Sequence, residues 1–383
     1  MAPKNTVPGT IPAPADADGV GLAPASSASG PAAEALRPAA GGGGTHTAPG
    51  TGTPDDAGSP APRGRARKAP DAQAIRRRTP RGKAESRLAY YLVTPAGLME
   101  LLIHIIPMAL GIWIAFTALN QLNLTNWLNA PFVGLQNFVN GLNPESTIGQ
   151  SFFSALGRTA VYTVIVVGGS WILGMAGAVF LSSKVRGRTF LRTLFLVPYA
   201  LPTYVGTIAW AFMFNQRDGA VNQLLVDVFG LFGGERPFWL LGENSLTAMI
   251  VVNIWTLWPF AFLMLLAALQ NVPGDVYEAA SLDGASLWSQ FMHITLPMVR
   301  PANGVLVLVM GLWTFNQFNI PFVLFGPSSP AEAMLVTPLI YQNSFGSWNF
   351  GLGGAMSVLL LLAMLVATAF YVRLVLPKGA QHD

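Results

Sequence analysis

Residues 272–301, VPGDVYEAASLDGASLWSQFMHITLPMVRP, form a short polar segment between two long apolar runs, 246–270 and 302–325. Both flanking runs are long enough to cross a membrane as helices, so the segment is a connection between two spans. It cannot continue either run, because it carries charged or titratable side chains throughout its length: Asp275, Glu278, Asp283, His293 and Arg300.

The order of residues in this segment predicts two short helices with a sharp bend between them. Pro273 suits the first turn of a helix, and Gly284 supplies the backbone freedom that a helix end or a tight turn requires. A second helix is predicted over residues 286–292. Pro297 and Pro301 are then expected to end the element and return the chain to the membrane.

The composition is that of a membrane protein. Of the 383 residues, 52% are hydrophobic and 10% are charged, whereas about a quarter of the residues of a typical soluble domain are charged. The chain has no cysteine and its four histidines are scattered, which argues against disulfides, a thiol nucleophile and a metal site built from histidine. It also lacks a Walker-type phosphate loop and a plausible catalytic triad, so we do not expect it to hydrolyse ATP by that route or to be an enzyme.

The first 87 residues are predicted to form a disordered, basic tail. Residues 1–62 are rich in Ala, Pro, Gly, Ser and Thr, cannot bury enough apolar surface to offset the entropy of ordering, and have no apolar core of a secretory signal. Residues 63–87 hold ten Lys and Arg side chains, which either enforce the topology or anchor the tail to anionic lipids. No Lys or Arg lies between residues 88 and 157, so no nucleic-acid-binding face is expected on the folded part.

Six apolar segments are long enough to span a bilayer, which takes about 20 residues of helix. They define an all-α membrane domain over residues 88–377. Pro198 and Pro202 should kink the third span, and the glycines of residues 168–177 should let the second span pack closely. The predicted spans are 90–118, 155–182, 190–214, 246–270, 302–325 and 352–376.

The distribution of positive charge predicts the orientation. The tail, the link between the second and third spans and the C-terminus are rich in Lys and Arg, whereas the connections 119–153 and 326–351 have none. Both termini and the segment 272–301 are therefore predicted to be cytoplasmic, in a multi-pass membrane protein.

Glu278-Ala279-Ala280, Asp283-Gly284, Ile294 and Leu296-Pro297 reproduce the EAA loop of bacterial ABC-importer permeases. The chain resembles the carbohydrate-type permeases of that family, in particular the larger, maltose-permease-like partner. The resemblance implies a six-helix type I transmembrane domain whose EAA loop couples to cytoplasmic ATPase subunits. The residues that it assigns to ATPase coupling are Glu278, Ala279, Ala280, Asp283, Gly284, Leu296 and Pro297.

The resemblance extends over about residues 88–377, because GLQNF at 134–138 and WTFNQFNI at 313–320 are similar to stretches of the same permeases. A departure occurs in an outer loop, at 326–330, where this chain has GPSSP and the family often has a GGP-type turn. The implied partners are a second homologous permease subunit, two ATPase subunits that bind ATP and Mg, an extracytoplasmic sugar-binding protein and membrane lipids. No cofactor is implied for this chain itself.

The fourth and fifth spans each carry a polar and aromatic face at i, i+3, i+4, i+7 spacing. Amides and hydroxyls pair with sugar hydroxyls and aromatic rings cover the apolar side of a sugar, and the resemblance also implies substrate contacts on these two helices. The alternative is that the polar groups only join packed helices. The candidate substrate residues are Asn253, Thr256, Leu257, Phe260, Met310, Trp313, Thr314 and Gln317.

Glu100 and His104 lie four residues apart in the first span and can share a helix face. They either begin a proton relay or form a polar patch against a partner subunit. The other predicted spans hold no Asp or Glu that would continue a relay. The sequence therefore predicts the permease subunit of an ATP-driven importer for a sugar or related polyol. The alternative is a proton-coupled secondary carrier that uses Glu100 and His104.

Overall fold

The structure is a computed structural model, and it describes residues 81–182 and 186–375, with side chains from residue 90 onward. Within these ranges the chain is helical, and its strand-like pairings are two isolated bridges, Thr117 with Phe132 and Asn120 with Asn349. Most of the predicted tail, residues 1–80, lies outside the described residues. Its last part, residues 81–87, belongs to the first helix.

The first apolar helix consists of three pieces. α1 (Arg81–Glu100) and α2 (Ile106–Ile114) are joined by a π-helical turn, Leu101–Ile105. The π turn ends two residues before Pro107, which has no N–H to donate to the preceding turn of helix. The three pieces contain one membrane-compatible stretch, Tyr90–Ile114.

This stretch ends four residues before the predicted limit at 118 because a side chain takes over the backbone hydrogen bonds. The buried Asn137 donates from Nδ2 to the carbonyls of Ala115, at 2.9 Å, and Thr117, at 2.8 Å. Asn137 belongs to α3 (Gln136–Leu142), which follows a 3-10 helix, Gln121–Asn129.

α4 (Thr147–Ser182) and α8 (Asn244–Gln270) pack against each other at the centre of the fold. A Cβ atom at Gly174 of α4 would lie 2.6 Å from the Cβ of Ala261 and 2.7 Å from the nitrogen of Phe262, so only glycine allows this approach. The predicted close packing of the second span is therefore confirmed at Gly174.

The third predicted span is broken rather than kinked. α5 (Arg188–Ala200) and α6 (Thr203–Met213) meet at an angle of 89°. Pro202 lies at the break, and both it and Leu201 before it have extended backbone, as a residue preceding proline prefers. Pro198 lies inside α5. The bend therefore lies at Leu201 and Pro202 rather than at Pro198. The prediction that proline distorts this span is confirmed.

The other elements are short except for two further long helices, α12 and α15. Between α6 and α8 the chain forms α7 (Ala220–Asn222), a π turn (Gln223–Val228) and a 3-10 helix (Leu231–Gly234). After α8 come α9 (Gly274–Leu282), α10 (Leu287–Gln290), a π turn (Phe291–Thr295), α11 (Leu296–Met298), α12 (Arg300–Phe315), α13 (Asn319–Phe325), a 3-10 helix (Ala331–Ala333), α14 (Val336–Tyr341), a π turn (Gln342–Gly346) and α15 (Phe350–Val375).

In the part of the chain that the structure describes, five helical stretches are long and apolar enough to cross a membrane. The number becomes six if the bent pair α5–α6 counts as one span, which would match the six predicted segments. The second span begins at Thr147 rather than 155, because the Ser146 hydroxyl caps α4 by accepting the N–H of Gly149 at 3.0 Å.

Candidate coupling loop and substrate face

The segment 272–301 folds as two helical arms with a bend between them, as predicted. α9 follows the extended Pro273, and its last turn ends in a Schellman motif. The Ala285 N–H donates to the Ala280 carbonyl at 2.9 Å, and the Gly284 N–H donates to that of Ser281 at 3.1 Å. Gly284 has φ +79°, a left-handed conformation that glycine adopts without strain. The chain therefore reverses direction at Gly284.

The second arm is longer than predicted. Ser286 caps it by accepting the N–H of Ser289 at 3.2 Å, and the helix continues through the π turn to Met298 instead of ending near residue 292. Pro297 does not end the arm, because the wider turn before it, in which the Leu296 N–H bonds to the Phe291 carbonyl, accommodates a residue without an N–H.

Pro301 does not end the segment either. It lies in the first turn of α12, where a missing N–H costs nothing. The only non-helical residue between α11 and α12 is Val299, which is buried. The chain thus passes from the second arm into the membrane almost without interruption.

Side-chain hydrogen bonds hold the two arms together, and the sequence analysis did not identify them. The Tyr277 hydroxyl lies 3.0 Å from Oγ1 of Thr295. Gln290 donates from Nε2 to the Ser281 hydroxyl at 3.1 Å and to the Ala285 carbonyl at 3.0 Å. Tyr277 and Ser281 are four apart in α9, and this helical spacing was the available signal. Gln290 and Thr295 are five apart, and the π turn Phe291–Thr295 brings them to the same face.

The bend carries bare apolar side chains. Leu282 is 90% exposed, Leu287 85% and Trp288 66%. Most predicted coupling residues lie around the same bend: Glu278, Ala279, Asp283 and Gly284 are exposed and Ala280 is half-buried. Leu296 and Pro297 do not join them, since they lie near the membrane end of the second arm, where Leu296 packs against the hydrophobic core. The structure therefore groups five of the seven predicted residues.

The start of α12 is fastened to two other long helices. Trp171 of α4 donates from Nε1 to Oδ1 of Asn303 at 3.0 Å. The Tyr371 hydroxyl of α15 donates to the Gly304 carbonyl at 2.9 Å. A displacement of the two arms would reach α4 and α15 through these bonds.

The predicted substrate residues of α8 differ in their burial and in their hydrogen-bond partners. Asn253 is buried and donates from Nδ2 to the hydroxyl of Tyr162 on α4 at 2.8 Å, and Leu257 is buried as well. Thr256 is half-buried and its hydroxyl donates to the Val252 carbonyl at 2.9 Å. In this conformation the Asn253 amide joins two helices, as the alternative interpretation of these polar groups expects.

The predicted residues in and just after α12 also differ in burial and in hydrogen-bond partners. Met310 and Thr314 are buried, and the Thr314 hydroxyl has no hydrogen-bond partner among the described residues. Gln317 accepts the N–H of Asn319 on its Oε1 at 3.1 Å, so it caps the start of α13. Trp313 is 52% exposed.

One aromatic cluster joins the two predicted faces. The rings of Phe260 and Trp313 have their centres 5.0 Å apart, and Tyr199 of α5 stacks on Phe260 at 6.0 Å. The sequence analysis did not name Tyr199, which follows Pro198 directly. Of the eight predicted substrate residues, the structure thus brings Phe260 and Trp313 together from different helices.

These features define a multi-pass helical membrane protein with a helix–bend–helix connection between two of its long helices. Residues 168–378 match the family described as "Binding-protein-dependent transport system inner membrane component". The chain belongs to this family, whose members include the permease subunits of ABC transporters. The comparisons do not favour the alternative of a proton-coupled carrier.

The match with similar proteins covers nearly their whole length. The trehalose/maltose transport system permease protein MalF of Thermococcus litoralis is 30% identical over 290 residues, covering 76% of this chain and 94% of that protein. The trehalose transport system permease protein SugA of Mycobacterium tuberculosis is 31% identical over 303 residues, with 79% and 93% covered.

A solved structure shares the fold. It is a bacterial ABC transporter involved in the import of the acidic polysaccharide alginate, with a TM-score of 0.65, 20% identity, and 77% of this chain and 96% of that chain covered. The all-helical architecture is thus that of the membrane domain of a type I importer.

Proposed function

We propose that this chain is the permease subunit that carries a sugar or related polyol into the cytoplasm, driven by ATP hydrolysis in partner subunits. The similar proteins named above are permeases of trehalose and maltose systems, and another is named for sulfoquinovosyl glycerol transport. The observation that carries the proposal is the exposed helix–bend–helix segment, inserted between the two long helices that supply the aromatic cluster.

The bend would be the contact with the ATPase subunits. Leu282, Leu287 and Trp288 are large apolar side chains, and all three are exposed around the bend. Exposed apolar patches often mark a contact with another protein. Glu278, Asp283 and Gly284 lie beside them and would complete the contact. ATP and Mg would be bound by the partner subunits, and this chain would receive their motion through the two hydrogen-bonded arms.

The aromatic cluster would form the substrate face. Trp313 and Phe260 offer ring faces to the apolar side of a sugar, and the Thr314 and Thr256 hydroxyls lie on the same helices. Neither helix contributes an Asp, Glu, Lys or Arg beside this cluster, since Arg300 lies at the far end of α12. We therefore expect a neutral substrate.

The remaining partners would be a second, homologous permease and an extracytoplasmic binding protein. A solved structure of the alginate transporter contains a pentasaccharide-bound periplasmic protein, which supports the binding protein as a partner. Both termini and the bend would be cytoplasmic, as the charge distribution predicts. Single cysteines in this cysteine-free chain can test the orientation: Ser286→Cys should react only from the cytoplasm and Gln136→Cys only from outside.

Uptake by the reconstituted complex tests the function. We would co-express this chain with its partner permease, ATPase and binding-protein subunits, reconstitute the complex, and measure uptake of labelled trehalose, maltose and glucose. Uptake of a sugar that needs ATP and survives collapse of the proton gradient is the expected result. Uptake that needs the proton gradient but not ATP would contradict the proposal.

A further inference from the structure

A cavity of about 550 Å³ lies between α4, α12 and α15, which all belong to membrane-compatible stretches. Its lining runs from Thr163 to Trp171 on α4 and from Val307 to Phe315 on α12. Each range covers eight residue steps, so the cavity is about 12 Å long. Val164 in its wall is 72% exposed, so the cavity is a groove that opens on the surface of the chain. None of the eight predicted substrate residues lines it.

Two glycines widen this α4–α12–α15 groove without serving a contact inside the chain. A Cβ atom at Gly168 of α4 or at Gly311 of α12 would meet no atom of a neighbouring element within 4 Å. At Gly174, in contrast, the glycine lets two helices touch. A glycine inside a helix costs about 0.5–1 kcal/mol relative to alanine, and no packing among the described residues offsets that cost in the groove. The open space therefore suits a molecule from outside the chain.

The size and the lining of the groove favour a hydrocarbon chain over a sugar or a protein helix. The lining is apolar apart from the hydroxyls of Thr163 and Thr368 and two hydrogen-bonded side chains at one end, which is too few polar groups for a sugar. A volume of about 550 Å³ over about 12 Å gives a mean cross-section of about 45 Å². A helix 10 Å across has a cross-section of about 80 Å² and does not fit, whereas an acyl chain is narrow enough to enter.

One end of the groove lies near the membrane end of α12. Trp171 and Tyr371 close this end through their hydrogen bonds to Asn303 and Gly304. Along the helix axis, both acceptors lie within about 6 Å of the first residue of the membrane-compatible stretch Arg300–Phe325. Trp and Tyr are enriched at the membrane–water interface, where lipid headgroups lie. The charge distribution predicts that this end is cytoplasmic.

Arg300 supplies a positive charge in line with the groove. It precedes Val307 by seven residues and Gly311 by eleven, so the three share one face of α12. Arg300 is exposed and forms no ion pair with another described residue. Guanidinium groups bind phosphate well, and basic pockets between membrane helices on the cytoplasmic side bind anionic headgroups. We propose that the groove binds an anionic phospholipid, with an acyl chain beside Gly168 and Gly311 and the phosphate on Arg300.

Photolabelling by a lipid tests the groove. The full chain, with its partner subunits, is reconstituted into phosphatidylethanolamine vesicles that contain a small amount of phosphatidylglycerol with a photoreactive acyl chain. After illumination, mass spectrometry should find the label on Leu308 and Met364, which line the groove. Gly311→Leu fills the groove without a clash and should lower this labelling about fivefold or more. Gly157→Leu, at an equally open position outside the groove, should leave it unchanged. Unchanged labelling in Gly311→Leu would overturn the proposal.

A change of headgroup tests the role of Arg300. Phosphatidylcholine with the same photoreactive chain should label the groove several-fold less, because its choline cation offsets the phosphate charge. Arg300→Gln should abolish this preference. Arg373→Gln is the matched control and should keep the preference, because Arg373 lies two residues after Tyr371 and thus on the other side of α15.

Equal labelling of the unmodified chain by both lipids would overturn the proposal. A photoreactive amino acid in place of Leu308 should cross-link to lipid, and a product that joins it to another protein would overturn the proposal as well. None of these results would bear on sugar uptake, so the proposed function would stand in either case.

Discussion

The α4–α8 pair and the first span are both apolar helices of membrane length, but they have opposite surroundings. In their most apolar windows, 44% of the residues of α4 and 50% of those of α8 are buried, against none in Tyr90–Ile114. The central pair meets at Gly174 and shares the Tyr162–Asn253 hydrogen bond. The first span carries the pair Glu100 and His104, whose side chains remain exposed among the described residues. Hydrophobicity places a helix in the membrane, whereas small residues and polar partners decide what it touches.

The comparison divides the chain into a centre, whose helices are buried against each other, and an edge, whose surfaces are exposed. Substitutions at the centre should damage the folded chain itself. Substitutions in the exposed bend should spare the chain and weaken its assembly. This division predicts the order of the effects below.

The largest effect is expected at the contact between α4 and α8. Gly174→Leu would drive a side chain into the backbone of Phe262, and overpacking of this kind costs about 3 kcal/mol or more when the backbone cannot move. Most of the protein should be lost from the monodisperse peak in detergent size-exclusion chromatography. Gly157→Leu is the control on the same helix, because a Cβ there meets nothing within 4 Å. An equal loss of the monodisperse peak in both variants would contradict the prediction that the α4–α8 contact is more sensitive than the exposed surface.

A smaller effect is expected at the bend. A Cβ at Gly284 meets nothing within 4 Å, so the expected damage comes from the φ of +79° rather than from a clash. A left-handed backbone costs an ordinary residue about 1–2 kcal/mol, and more for a β-branched one. Gly284→Val should therefore reduce co-purification of the ATPase subunits about tenfold while the thermal stability of the membrane domain is unchanged.

Gly284→Asn is the matched variant for that prediction, because asparagine tolerates the left-handed region. It should keep most of the ATPase subunits. If Gly284→Val retained them as well, the shape of the bend would not matter for docking.

A third prediction separates the two interpretations of Asn253. Asn253→Ala and Tyr162→Phe each break the hydrogen bond between α8 and α4, a loss of about 0.6–1.7 kcal/mol in a membrane. We expect equal decreases in the melting temperature of the detergent-solubilised complex and an unchanged KM for sugar uptake. A higher KM with Asn253→Ala alone would return Asn253 to the substrate face.

The smallest effect is expected for the tail. Removing residues 1–62 should leave uptake and expression nearly unchanged, because their composition predicts no packed structure and the resemblance to the permeases begins later. The comparison is uptake by the truncated and full chains at equal amounts in the membrane. A truncated chain that inserts normally but does not transport would contradict this prediction.

The sequence predicted features that depend on local chemistry. The lengths of the apolar runs predicted the positions of the long helices. Gly284 predicted the bend between the two arms, and Pro202 predicted a distortion after α5. Each of these follows from one residue type or one run of residues. No distant partner is needed to predict them.

Features that depend on distant contacts were not predictable in the same way. The first span ends early because Asn137, which lies beyond it in the chain, takes its carbonyls. Asn253 was placed on a substrate face by helical spacing, but spacing does not show that Tyr162, 91 residues earlier, accepts its hydrogen bond. The length of the second coupling arm depended on a π turn that no composition rule anticipates.

The close approach at Gly174 also restricts how the molecule can move. Where two helices touch backbone to backbone, neither can rotate about its own axis without forcing Ala261 or Phe262 into its neighbour. We therefore expect α4 and α8 to move together as one unit at this contact. Helical structure is interrupted at Val299, where the second arm meets α12, and at the Leu201–Pro202 bend, so we expect bending there. A displacement of the bend at Gly284 is therefore expected to tilt α4 and α8 together.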